Sequence, residues 1–288
     1  MPASENRWPR RLEVIACHVS RVEMLSSGVF ELVDRPGSSD RFHDTDHARR
    51  GPAPHRFRSR ANGSVQPGYG GFSLRTSNGL AGAGFDPTED VESLRRRGLG
   101  DHSTVVDIGC GAGTFVLAVA PHCRRVIAVD VSGVMLGEVA RRVKQNAIAN
   151  VETVQAGFLT YEHSGVPADV VFTRNALHHL PDFWRALALT RLASIMAPAG
   201  VLWLRDLVYS HEPVDAGAAL ERWFDGATED SKTAYTHEEL VEHVRAENST
   251  FSWLLEPLIT HAGLRIVGCE VDPSRTYARY ECVKVTST

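Results

Sequence analysis

Val105-Val106-Asp107-Ile108-Gly109-Cys110-Gly111-Ala112-Gly113-Thr114 is the stretch that decides how this chain folds. Thr104 to Ile108 is a short apolar run that fits a buried strand, and Gly113 to Ala120, stopped by Pro121, fits a helix. The glycines between them let the backbone turn tightly and approach a ligand closely. Exposed amides at the helix N-terminus add donors. A G-x-G-x-G by itself also serves ordinary turns, so the second element carries the discrimination. Asp130 ends the next apolar run, Val126 to Val129, 21 positions after Gly109 (130 − 109). A carboxylate there can accept both hydroxyls of an adenosine ribose, whereas a lone aspartate would only cap a helix or face solvent. Strand, glycine turn, helix, strand and terminal aspartate together predict a nucleoside-binding unit.

The alternation extends outward in both directions. Upstream, Asp86-Pro87-Thr88-Glu89 reads as a helix start, with Asp as N-cap, Pro at N1 and Glu at N3; the helix runs to Arg97 and ends at Gly98. Downstream, Ser132 caps a helix ending near Asn146. Val151 to Gln155 and Val170 to Thr173 read as strands, and Asp182 caps a long helix to about Met196. Pro198-Ala199-Gly200 turns into a fifth strand, Val201 to Leu204. Strands alternating with helices imply a parallel sheet covered on both faces. Leu264 to Val271 and Tyr277 to Val285 break the rhythm, because the segment between them, Asp272-Pro273-Ser274-Arg275 and its neighbours, is too short for a crossover helix. The expected fold is therefore α/β and Rossmann-like: a seven-stranded, mostly parallel sheet with a C-terminal antiparallel hairpin and helices on both faces. That hairpin separates the chain from an ordinary dinucleotide-binding fold.

The 288 residues allow one large domain with a substantial extension. Residues 1–80 form an N-terminal extension, loop-rich or partly disordered, and residues 81–288 the main domain. From Phe42 to Leu80 apolar periodicity is slight and Arg, Gly, Ser and Pro abound. Leu12 to Val33 is apolar enough for a helix or two short strands, or is a leader with no role. The extension is rich in arginine and the remainder correspondingly acidic, with a net charge of −4 overall and a pI near 6.4. No nucleic-acid partner is expected from this balance. Five cysteines without a C-x-x-C pair imply free thiols in a reducing, cytoplasmic setting. No Cys/His group has ligand spacing, so no metal is expected. Met1 to Arg11 lacks an apolar signal core and no long apolar run suggests a membrane span.

Charge distinguishes the nucleosides. A pyrophosphate fingerprint is G-x-G-x-x-G, and here the third glycine comes one position early, with Thr114 in its place. Asp107 lies two positions before the first glycine. Its negative charge is unwelcome beside a pyrophosphate but suits a ligand carrying an ammonium and a sulfonium. The sign of the charge thus favours S-adenosylmethionine (SAM) over NAD.

At these residues the chain resembles the class I SAM-dependent methyltransferases. Asp107-Ile108-Gly109-Cys110-Gly111-Ala112-Gly113-Thr114-Phe115 is similar to their SAM-binding motif and Ala128-Val129-Asp130-Val131-Ser132 to their second. Thr173-Arg174-Asn175-Ala176-Leu177-His178-His179-Leu180 is similar to their fourth, and Pro198-Ala199-Gly200-Val201-Leu202 to their P-G-G turn. The likeness spans about Asp86 to Lys284 and is nearest to the small-molecule group that includes ubiquinone/menaquinone C-methyltransferases. It implies that Asp107, Gly109, Cys110 and Gly111 face the methionine end of SAM. Asp130 would hold the ribose, Val131 would lie against adenine and Asn175 beside the sulfonium. Two departures are visible. Ala156-Gly157-Phe158-Leu159 lacks the carboxylate that often bonds the adenine amino group, which leaves the Phe158 amide and ring to hold it. Ala199 replaces the first glycine of P-G-G.

The implied reaction is in-line SN2 transfer of the sulfonium methyl to a small-molecule acceptor, which mainly needs alignment and exclusion of water. His178 and His179, just past the fourth strand, are candidates for a general base, or else pack and cap the following helix. Asp206 and Tyr209 follow the fifth strand on the same side. An [Asn/Asp]-Pro-Pro-aromatic motif and a Pro-Cys nucleophile are both absent, which demotes adenine, glutamine and cytosine-C5 methylation. Trp223, Phe224 and Tyr235 in the Asp206 to Phe251 insertion form either a lid or helix core, and Trp253 reads as core. Competing readings are an NAD(P)-dependent oxidoreductase and a non-catalytic SAM/SAH-binding module.

Overall fold

The computed structural model describes residues 85–228 and 235–285. The expected extension, 1–80, and its boundary lie outside them. In chain order the elements are α1 (Thr88–Arg96), β1 (Thr104–Ile108), α2 (Thr114–Val119), β2 (Arg125–Asp130), α3 (Gly133–Gln145), β3 (Val151–Gln155) and β4 (Ala168–Arg174). There follow α4 (Asp182–Ile195), β5 (Met196–Tyr209), α5 (Ala216–Asp225), α6 (His237–Ala246), β6 (Thr250–Phe251), α7 (Ser252–His261), β7 (Leu264–Val271) and β8 (Tyr277–Lys284). Single 3-10 turns occupy Ala120–His122, Leu177–His179 and Pro213–Asp215.

The sheet runs β3-β2-β1-β4-β5-β8-β7, and the two-residue β6 pairs with the end of β5 off this path. The pairings from β3 through β5 are parallel, and β8 is antiparallel to both β5 and β7. This is an α/β, Rossmann-like fold with the expected seven-strand path and C-terminal hairpin. All five residues of β1 are buried, as a strand covered on both faces requires. Its side chains alternate. Val105 joins Val91, Leu94, Phe115, Val116 and Val139 on one face, while Val106 and Ile108 join Leu189, Leu192 and Ile259 on the other.

Local signals explain most boundaries. Asp86 accepts the Thr88 amide at 2.9 Å and its hydroxyl at 2.6 Å, and Gly98 ends the helical region at φ +105°. Helix α1 is fixed to the sheet by Asp90, which is buried and accepts Trp203 Nε1–H at 2.9 Å. Ser132 accepts the Met135 amide at the start of α3, and Thr236 with Glu239 forms a full capping box on α6. Three expectations are corrected. Pro87, not Asp86, occupies the cap position of α1, and Asp86 holds the Thr88 amide from one residue before it. Pro181, not Asp182, occupies the cap position of α4, and Asp182 sits in the first turn, paired with Arg185. Trp253 is half exposed, so it is not core.

The insertion after β5 builds its own small core of Leu207, Trp223 and Leu240, with Tyr209, Phe224, Tyr235 and Tyr277 against it. This core stands over the C-terminal end of β5, where the sheet presents its crevice.

Candidate active site

The strand order reverses direction between β1 and β4, and ligands of open α/β sheets bind beyond the carboxyl ends of the strands at that point. Every expected site residue except Phe158 lies at the ends of β1 and β2 or on the loops that leave β1, β2 and β4. Gly109 has φ +75°, and an ideal Cβ there would fall 2.5 Å from Cβ of Ala176, so only glycine lets the loops after β1 and β4 close on each other. Gly111 has φ +51° and faces open space. The crevice therefore has a tight floor at Gly109 and an open lip at Gly111.

The loop amides, expected as donors, are already used. The Gly109 and Cys110 N–H groups both donate to the Val129 carbonyl, at 2.8 and 3.0 Å, and Gly111 N–H donates to Asp130 Oδ2 at 2.9 Å. Cys110 is buried in the core, with its Sγ 3.7 Å from the Gly111 carbonyl. A loop whose amides are satisfied from within is a poor phosphate cradle. It presents instead the Asp107 carboxylate, 2% exposed, at the end of β1. Burial, and then the neighbouring Asp130 charge, pushes Asp107 well above the ordinary carboxylate range, opposed by Arg174. Such a group gains most from a cation placed against it.

Asp130 is held by two backbone donors, Gly111 N–H and Ser132 N–H, the latter at 2.8 Å to Oδ1. It locks the glycine loop to β2 as well as facing the crevice, a role invisible in the motif. Val131 packs against Gly157, where a Cβ would come within 2.9 Å of its Cγ1. The Phe158 ring is buried in the core with Tyr161. Asn175 adopts φ +49° and donates its N–H to the Arg205 carbonyl at 2.9 Å, a conformation asparagine tolerates better than most residues.

The two histidines differ sharply. His178 is 5% exposed and places Nδ1 2.5 Å from Asp206 Oδ1, while its own N–H donates to Asp206 Oδ2 at 2.9 Å. Burial works to raise Asp206, but the charge and hydrogen bond of His178 outweigh it and hold the carboxyl below its ordinary value. Asp206 thus engages His178 through Nδ1, which orients the ring and leaves Nε2 outside this pair. His179 is exposed and meets Glu247 Oε2 through Nδ1 at 2.7 Å. His243 from α6 stands tilted against the His178 ring, centroids 5.1 Å apart, and meets Ser249 Oγ at 2.8 Å. Trp223 closes this side, 5.9 Å from His243 and 6.4 Å from Tyr209. Glu247, His243 and Arg174 were not anticipated. The first two lie 68 and 64 residues from His179 (247 − 179, 243 − 179), and no local pattern marks them.

Comparison with known proteins agrees with this geometry. A family model described as a methyltransferase domain matches residues 105–200. Trans-aconitate 2-methyltransferase of Azoarcus sp. is 36% identical over 111 residues, 38% of this chain and 41% of that protein. The chain thus spans less than half the length of that relative. Among solved structures, YcgJ of Bacillus subtilis superposes with a TM-score of 0.51 at 14% identity, covering 69% of this chain and all of that one. The [4+2]-cyclase SpnF superposes with a TM-score of 0.53 at 15% identity, over 69% of this chain and 81% of that one. Residues 105–200 are thus similar to methyltransferase domains. The likeness to a cyclase shows that the fold is shared by proteins named for other reactions. No helix among the described residues is long and apolar enough to cross a membrane.

Proposed function

We propose that the chain transfers a methyl group from SAM to a small-molecule acceptor by in-line displacement. The observation that carries this reading is the pair of carboxylates, Asp107 and Asp130, converging on a glycine loop whose amides are already bonded. Asp107 takes the methionine ammonium, and Gly109 and Gly111 give the methionine chain room. Cys110 shapes the loop from the core side. Asp130 accepts from the ribose hydroxyls, Val131 and the Phe158 amide border adenine, and Asn175 lies beside the sulfonium.

The acceptor approaches from the side of β4 and β5. Its nucleophilic atom attacks the methyl carbon, the C–S bond breaks, and S-adenosylhomocysteine (SAH) leaves as a neutral thioether while the acceptor loses a proton. The protein's part is alignment and dryness. Trp223 and Tyr209 wall the acceptor side, and His178, oriented by Asp206, borders it. Within the class, the motifs resemble ubiquinone/menaquinone C-methyltransferases, while the trans-aconitate enzyme is named for a small carboxylic acid. Both support a small organic acceptor.

The test is turnover with methyl-labelled SAM and a panel of small phenols, quinols and carboxylic acids, with SAH release as readout. Label transfer to one panel member, abolished in Asp107→Asn at low SAM, supports the reading. SAH binding without transfer to any acceptor supports a SAM-binding module instead.

A further inference from the structure

We propose that His178, His179 and Glu247 bind a divalent transition-metal ion of the zinc class at the acceptor end of the crevice. One ligand atom from each of these side chains lies within 4.8 Å of the other two. Donors around a single ion at about 2.1 Å lie up to about 4 Å apart, so small side-chain rotations close the set. Two imidazoles and one carboxylate are the donor set of a catalytic zinc site, which leaves at least one position open for a ligand.

Three features of the surroundings support a built site over a chance ion pair. Asp206 holds His178 by Nδ1 and by its backbone N–H, which orients the ring and leaves Nε2 as the coordinating atom. A carboxylate behind a histidine is the usual support of a metal ligand, fixing its tautomer and raising its basicity. Secondly, the Glu247 loop is strapped to the histidine turn. Asn248 N–H donates to the His178 carbonyl at 3.1 Å, and Asn248 Nδ2 donates to the His179 carbonyl at 3.0 Å. The buried Arg185 guanidinium in turn holds the Asn248 carbonyl. Ligands 68 residues apart in sequence are thus fixed to each other by backbone (247 − 179). Thirdly, the imidazole of His243 borders the set, its ring centroid 5.1 Å from that of His178. Its Nε2 is engaged by Ser249.

An ion here would face the acceptor and lower the pKa of a coordinated hydroxyl, whose proton passes to solvent before its oxygen attacks the methyl carbon. That use rests on the proposed methyl transfer; the site itself does not. It also explains how two adjacent histidines, one buried and one exposed, come to serve a single purpose.

The test is titration of the chelator-stripped full chain with Co²⁺ in the absence of SAM, following visible d–d absorption, with Zn²⁺ as competitor. The expected result is one Co²⁺ per chain, displaced by Zn²⁺. Asp206→Asn should weaken Co²⁺ by about 10–100-fold, as loss of a ligand's supporting carboxylate does. Glu247→Gln and His179→Ala should weaken it further, while SAH affinity, measured separately, reports that each variant is folded. Wild-type protein that binds SAH but not Co²⁺ would overturn the site. So would Co²⁺ binding that both ligand variants leave unchanged. Co²⁺ binding with no SAH binding would uphold the site and remove the methyl-transfer reading.

Discussion

Replacing Asp107 with asparagine should move affinity and stability in opposite directions. Asp107 is 2% exposed, and burial together with the Asp130 charge makes its ionised form costly. Its pKa is raised, so the anion is the penalised species, and the penalty is present at neutral pH and above. Asparagine keeps the shape and has no charge to desolvate, so the empty variant should be more stable, with a higher Tm. The ligand pays for the change. A hydrogen bond from an ammonium to a buried carboxylate contributes about 1.5–3 kcal/mol, so SAH should bind about 10- to 150-fold more weakly. The cation also favours the ionised carboxylate, so binding to the wild type should release a proton. Affinity should accordingly rise with pH until Asp107 is ionised in the empty site. Calorimetry in two buffers of different ionisation enthalpy reads the affinity and the proton together, and thermal unfolding reads the stability. Unchanged SAH affinity in a folded Asn variant would refute the reasoning, as would proton release that persists after the substitution.

Asp130→Ala should weaken SAH by roughly 1–3 kcal/mol, and hydrogen exchange should show faster opening at Gly111 and Ser132, whose amides it accepts. Gly109→Ala should destabilise the protein by about 3 kcal/mol, combining a left-handed backbone with a Cβ placed 2.5 Å from Ala176 Cβ, as read from chemical denaturation. Ala199→Gly should do the reverse on a smaller scale. Ala199 has φ +60°, and relieving that strain should outweigh the added freedom of the unfolded chain by about 0.5–1 kcal/mol in the same assay.

The fold was legible because its signals are local. β1, β3 and β7 are short apolar or alternating runs bounded by turns, and their ends match the expected residues. The N-cap at Ser132 and the helix start signalled by Asp86-Pro87 are likewise decided within four residues of chain. β5 begins earlier than expected. Met196 already pairs with Ala168, and Pro198-Ala199-Gly200 forms a bulge in the pairing before Val201 resumes it opposite Val170. A turn signal inside a bulged strand looks the same as a turn before a strand. At Asp182 a good capping residue was outcompeted by the fixed φ of Pro181.

The cofactor side of the site was readable for the same reason, since Asp107 through Gly113 and Asp130 are tied to strand ends. What escaped was non-local. That the Gly109, Cys110 and Gly111 amides serve β2 and Asp130 depends on how two strands align. That Glu247 reaches His179, and Asp206 reaches His178, depends on the placement of an insertion with no periodicity in common with the sheet. The histidine pair was visible in the sequence; its different partners, which separate a buried oriented ring from an exposed one, were not.

Isothermal titration of the purified full chain with SAH, with NADH as control, tests the central claim most directly. The account predicts saturable SAH binding at one site per chain and no NADH binding, because Asp107 favours an ammonium and disfavours a pyrophosphate. A folded sample that takes up NADH, or that binds no SAH, would contradict it.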